Sequence, residues 1–243
     1  ASSPHHESAS VARVAAPDET TTRRNSTRTQ TGRRGAPEEA AREVARLLKA
    51  ATALLRGGAG GRFADGQALV DQALSLAPEN VEAVCASGAC HFSAGKLDEA
   101  HARFARALEL EPNHVPALQA LGLLYQTRGM LPEAARAYAL ALSSRERVKP
   151  GAPREPTAAP PRDETVAATR ARLAATLSDI GTQVKLEGDV AKALTHYREA
   201  IATDPSYAPA LYNLGVALHE LGQSAAAEAR YAEAAALDPR HAD

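Results

Sequence analysis

The sequence predicts an all-α fold: helical hairpins stacked into an αα-solenoid, wound as a right-handed superhelix, behind a disordered N-terminal leader. Three observations carry that expectation. First, residues recur at an interval of 34: Gly88 with Gly122, Ala100 with Ala134, Phe104 with Tyr138, Ala107 with Ala141. The same step returns downstream in Gly181 and Gly215, Ala193 and Ala227, Tyr197 and Tyr231, Ala200 and Ala234. A period of this length marks one helix–turn–helix unit that cannot bury its apolar face alone and stacks on its neighbours. Second, hydrophobic residues make up 44% of the chain but aromatics only 4%, and tryptophan is absent. Alanine and leucine therefore supply the apolar content, which suits close helix–helix packing better than a sheet core. Third, prolines at 78, 112, 205 and 239 close the units, where a missing N–H and a fixed φ stop a helix.

Residues 1–36 are rich in Ser, Thr and Arg without periodicity, with six arginines against three acids. Such a segment buries too little apolar surface to offset its ordering entropy and reads as disordered. Its RRNSTRTQTGRR stretch suits a nuclear-localisation or nucleic-acid-binding arm, or a solvated basic tail. Residues 37–148 hold three repeats. The first is degenerate: Pro37, Glu38 and Glu39 open a helix at its positive dipole end, GGAGG at 57–61 stops it, and a second helix covers about 62–77. Repeats two and three occupy 81–114 and 115–148. Residues 149–162 contain five prolines and are expected as an extended loop. Residues 163–243 begin with a long helix, about 163–187, with Asp163 as N-cap and an apolar stripe of Leu173, Leu177, Ile180 and Val184. Repeats four and five follow at 174–207 and 208–241. The closing HAD reads as the opening of another unit, so a fragment of a longer protein is expected.

The order small–aromatic–small–proline over 34 residues resembles the tetratricopeptide repeat (TPR). Two segments narrow the resemblance. LSDIGTQVKLEGD (177–189) and SYAPALYNLGVALHELGQ (206–223) are similar to the TPR region of SPINDLY-type protein O-glycosyltransferases, over roughly residues 62–243. That resemblance implies an arm that recruits acceptor proteins, or extended peptide segments of them, for O-fucose or O-GlcNAc transfer to Ser or Thr. It implies action in the nucleus and cytoplasm, and in plants on regulators of gibberellin signalling. GDP-fucose or UDP-GlcNAc would be the donor in a catalytic domain outside these residues, since this chain holds no nucleotide-binding Gly-rich loop. No cofactor and no catalytic residue is expected here. Some family members pair through TPR surfaces, which leaves a homodimer open.

In TPRs the first helix of each unit lines a concave face with its positions 2, 5, 6, 9, 12 and 13. This resemblance nominates Tyr212, Asn213 and His219 in repeat five, with Pro209, Val216 and Glu220. In repeat four it nominates Ser178, Asp179, Thr182 and Lys185, and in repeat three Gln119 and Gln126, with Leu123 and Thr127. Asn213 falls where related transferases carry an asparagine that holds peptide backbone. An amide suits that role because it donates and accepts at once. The ladder is partial, because Asp179, Ala120 and Ala86 stand at the equivalent positions.

Other chemistry is thin. Cys85 and Cys90, five apart, point about 140° from each other around a helix, which fits buried free thiols in a reducing compartment rather than a CxxC pair. His91 reads as a core or boundary histidine. His5 and His6 lack the partners of a defined metal site, and Asp163 with Glu164 reads as a helix start rather than an acid pair. Net charge is −1, so neither nucleic acid nor membrane is favoured as a partner, and no apolar run approaches the roughly 20 residues of a membrane span. The alternative to the transferase arm is a free-standing adaptor or assembly scaffold. A co-chaperone is disfavoured, since Cys85, Ala89 and Ala120 stand where a carboxylate clamp needs basic and amide groups.

Overall fold

The computed structural model describes residues 38–55, 62–146 and 162–238. The leader, Pro37, GGAGG, the Pro-rich stretch 149–161, Pro239 and the closing HAD lie outside these residues. Every regular element among the described residues is an α-helix. In order they are α1 (38–55), α2 (Arg62–Leu76), α3 (Val81–Ser93), α4 (Leu97–Leu110) and α5 (Val115–Thr127). Then come α6 (Leu131–Glu146), α7 (Arg162–Leu186), α8 (Val190–Thr203), α9 (Ala208–Glu220) and α10 (Ser224–Leu237). The chain divides into two compact units, residues 1–43 and 44–243. Of the first, only the opening turns of α1 are described. The helical array lies in the second.

Local chemistry punctuates each hairpin. Gly95, Gly129, Gly188 and Gly222 stand between its two helices at φ of 74°, 72°, 95° and 74°, the left-handed region that side chains disfavour. At Gly95 the chain closes a C-terminal cap, with Gly95 N–H donating to Phe92 and Lys96 N–H to the His91 carbonyl. Asn80 and Asp189 cap α3 and α8, each side chain accepting from the backbone N–H three residues on at 2.9 Å. Pro116 and Pro209 sit in the first turns of α5 and α9, where their missing N–H is no loss.

Pairing within a hairpin rests on a glycine facing an aromatic ring sixteen residues later. A Cβ built on Gly122 would lie 2.5 Å from the Tyr138 ring, and on Gly88, Gly181 or Gly215 it would lie 2.6 to 2.7 Å from Phe104, Tyr197 or Tyr231. Phe104, Tyr138 and Tyr197 are 0–1% exposed, and the small residues Ala100, Ala134 and Ala193 are fully buried. One core cluster joins α3, α4, α5 and α6 around Phe104 and Leu121, and another joins α7 to α10 around Tyr197 and Leu214. Tyr138 and Ala134 of α6 meet Leu173 of α7 between them.

The long helix exists, with one correction. It runs 25 residues from Arg162 to Leu186, so Asp163 lies inside its first turn and is not its N-cap. Thirteen residues suffice for α3, α5 and α9. The other twelve are an extension at the N-terminal end of α7.

Both cysteines are free and buried, and they fall in different clusters, Cys85 beside Phe104 and Leu121, Cys90 beside Ala51 and Val70. Burial, with help from the Glu82 charge, pushes the Cys85 thiol from 9.0 to about 12. The folded state thus holds this proton more tightly than the unfolded chain, so its contribution to stability is complete below pH 9 and declines as pH rises toward 12. Ellman's reagent at pH 8 should leave Cys85 unmodified in the native protein and titrate it at once in denaturant. Rapid modification without denaturant would contradict the packing.

Candidate peptide-binding face

The first helices α5, α7 and α9 carry every nominated side chain, and several of their polar groups are bonded across the seams between these helices. Gln119 of α5 donates to the Thr169 hydroxyl of α7. Seven residues on, Gln126 donates to Thr176 at 2.8 Å. In the next seam the same two positions serve again. Ser178 accepts from the Asn213 amide at 3.1 Å, and Lys185 donates to Glu220 at 2.8 Å. Positions 5 and 12 of one first helix therefore face the next first helix. Seven residues is two turns, so both contacts lie on one side of each helix.

The two seams differ in register. Between α7 and α9 the partners are 35 residues apart, one repeat plus one. Gly122 and Gly181 set the corresponding repeat step at 59, so the same rule would place the α5 and α7 partners 60 apart. They are 50 apart. The extended helix is displaced by ten residues, about 15 Å along its axis. Its N-terminal extension fills the place that a regular first helix would take.

This arrangement corrects part of the sequence reading. Ser178 is 2% exposed, so it positions Asn213 and is closed to a bound peptide. Gln126 has its amide committed at both ends, donating to Thr176 and accepting from the Tyr138 hydroxyl at 2.7 Å. Gln119 and Lys185 are likewise engaged in the seams. Hydrogen bonding to Glu220 is the main cause that raises the Lys185 pKa, and the pair is partly exposed, so its stabilisation is small. Thr182 is half-buried, bonded to the Ser178 carbonyl at 3.0 Å and touching the Tyr197 hydroxyl at 3.2 Å.

Asp179, Tyr212 and His219 are exposed, as are Pro209, Glu220 and Thr127. Asp179 holds position 6 of its repeat, but the displaced register gives that seam contact to Thr169 and leaves the carboxylate outward. Partial desolvation raises its pKa. Burial raises the pKa of Tyr207, and the Asp179 charge adds to it. Asn213 is half-buried, and its bond to Ser178 uses one amide N–H and leaves the carbonyl oxygen.

The network missed in the sequence is Thr169, Thr176 and the Tyr138 phenol. Thr169 and Thr176 are 2% and 0% exposed, and each also donates to the carbonyl four residues back. Burial raises the Tyr138 pKa, while the Arg172 guanidinium acts in the opposite direction. A heptad pair of threonines beside Leu173 and Leu177 was the available signal. His91 is half-buried, and among the described residues no three His, Cys, Asp or Glu side chains group to hold a metal. No helix among them is long and apolar enough to cross a membrane.

Family comparisons agree with this architecture. Residues 59–123 and 208–241 each match a model described as a tetratricopeptide repeat, and residues 185–222 match one described as a TPR repeat. The chain carries tetratricopeptide repeats. No curated protein matches it in sequence. Among solved structures, the TPR array is similar to YrrB, described as a TPR protein with an unusual peptide-binding site. Identity is 20% over 81% of this chain and 84% of that one, with a TM-score of 0.50. MamA from Desulfovibrio magneticus RS-1 is 13% identical over 83% and 98% of the two chains, with a TM-score of 0.54. MamA AMB-1 is 16% identical over 84% and 94%, also at 0.54. At these identities the likeness is one of fold. TPR arrays stack repeats into extended binding surfaces, and this chain is a protein–protein interaction scaffold.

Proposed function

We propose that the TPR array binds an extended segment of a partner protein along its first helices, with Asp179, Thr182 and Asn213 as the central contacts. The observation that carries this is the seam itself. In α5 and α7 positions 5 and 12 are consumed by neighbouring repeats, whereas at position 6 the Asp179 carboxylate is exposed and the Asn213 carbonyl oxygen is left free of the Ser178 bond. The Ser178 bond holds the Asn213 amide in one orientation, which lowers the entropy lost when it engages peptide backbone. The exposed carboxylate of Asp179 adds a preference for a basic side chain or a backbone N–H. YrrB, alike in fold, has a peptide-binding site, which supports the reading.

The test is selection of peptides from a random phage-displayed library on the 243-residue chain. Selected peptides are expected to lose at least tenfold in affinity when Asn213→Ala and Asp179→Asn are combined, one or two lost polar contacts' worth. Binders indifferent to both substitutions would place the site elsewhere.

A finer reading rests on the segments 177–189 and 206–223: the array recruits Ser/Thr acceptors for a SPINDLY-type O-fucosyl- or O-GlcNAc-transferase of the nucleus and cytoplasm. GDP-fucose or UDP-GlcNAc would then be used by a domain outside these residues. A transcript encoding a nucleotide-sugar transferase domain downstream of Asp243 supports this reading, and a stop codon there supports the free-standing adaptor.

A further inference from the structure

Three sides of α7 are taken up by contacts within the array, and the fourth is open. At about 100° per residue, Thr169 and Thr176 mark the side toward α5, and Ser178 and Lys185 stand about 180° away, toward α9. Between them, on one side, Leu173, Leu177, Ile180 and Val184 pack into the core clusters. The remaining side carries Arg172, Asp179 and Leu186, within about 40° of one another. All three are exposed, and Leu186, at 81%, is the most exposed large apolar residue among those described. The helix stands between α6 and α8, so this open side is not the end of the stack.

Its chemistry is ordered. The three residues lie seven apart, two turns or about 10 Å, and run cation, anion, apolar. Among the described residues no ion pair reaches Arg172 or Asp179. Desolvation alone raises the Asp179 pKa, with no cation near enough to offset it. The gap between the two charges exceeds the screening length of about 8 Å at physiological salt, so they do not neutralise each other. The Arg172 guanidinium acts on the Tyr138 phenol, which donates to Gln126, and this places it at the junction of α5 and α7. Arg172 precedes the fourth repeat's own frame at 174, so it comes from the extension of the helix.

We infer that this side of α7 binds an extended partner segment carrying an acidic, a basic and an apolar residue at steps of three. The inference rests on the peptide-binding reading above and gives that partner its chemistry. A polyproline II chain returns to the same side every three residues and advances about 9.3 Å in doing so, close to the two-turn step of α7. The acid then meets Arg172, whose guanidinium holds a carboxylate through two N–H groups. The base meets the Asp179 carboxylate, and the apolar residue covers Leu186. Charge complementarity sets this order along the helix, and a segment with the two charges exchanged meets like charge at both places.

The probes are fluorescein-labelled Pro-Glu-Pro-Pro-Lys-Pro-Pro-Leu-Pro and the same peptide written in reverse, since the helix face fixes spacing and not chain direction. Fluorescence anisotropy with the 243-residue chain at low salt should show one of them binding about tenfold more tightly than its counterpart with Glu and Lys exchanged. About 0.5 M salt should remove most of that difference. Arg172→Asp combined with Asp179→Arg should reverse the preference while the helical circular-dichroism signal stays unchanged. Arg172→Gln should weaken the Glu peptide and spare one with Gln in place of Glu. Equal weakening of both would confine Arg172 to the Tyr138 phenol and overturn the inference. Equal binding of the exchanged peptides, still lost in Asn213→Ala, would also overturn it and leave the peptide-binding reading in place. So would failure of all these peptides to bind where library-selected ones do. Indifference of every bound peptide to Asn213→Ala and Asp179→Asn together would remove the underlying reading as well.

Discussion

Arginine in place of Ala134 is expected to abolish the cooperative fold of repeats three and four. Ala134 is fully buried on α6, in the cluster where Tyr138 and Leu173 meet. The larger side chain overpacks the site, at about 1–3 kcal/mol, and its buried guanidinium adds several kcal/mol of desolvation without a partner. Against a total stability of about 5–15 kcal/mol, such a loss removes most of the folded population. Thermal unfolding followed by circular dichroism measures it. A melting curve unchanged from the parent would mean that α6 does not pack in this register.

Valine at Gly122 is the second large effect. The added Cβ would stand 2.5 Å from the ring of Tyr138, which is fully buried and bonded to Gln126, so the ring has no room to retreat. Gly129, by contrast, has nothing within 4 Å of a Cβ, but its φ of +72° would strain any side chain. The two glycines are thus required for different reasons, close approach at one and backbone conformation at the other. Gly122→Val is expected to cost about 3 kcal/mol, at the top of the overpacking range, and to lower Tm by about 6–12 °C. Restoring the space with Tyr138→Leu should recover part of the loss despite the missing hydroxyl. If the double variant is no more stable than Gly122→Val alone, the steric account fails.

Much of the hairpin architecture was legible because it is local. A glycine, an aromatic sixteen residues later and alanines between them meet wherever two helices fold back through a left-handed glycine, whatever the rest of the chain does. The nominated site was less legible. Gln126 and Asn213 look alike as exposed amides on a first helix. Yet Gln126 is bonded at both ends inside a seam, while Asn213 gives Ser178 only an amide N–H. Ser178 reads as a polar surface residue and is buried. Helical periodicity places a side chain on a face, and does not say whether a neighbouring repeat covers that face.

The sequence by itself determined the repeat, its two-helix unit, the close glycine–aromatic contacts and the extra length before the fourth unit. Only the tertiary structure decided what that extra length does. The stripe of Leu173, Leu177, Ile180 and Val184 keeps its face only for slips of whole turns, whereas ten residues is about 2.8 turns and swings α7 by about 80°. Apolar periodicity therefore leaves the register to other contacts. Directional hydrogen bonds from Gln119 and Gln126 to Thr169 and Thr176 select one, ten residues from the regular position. That choice leaves Asp179 facing outward.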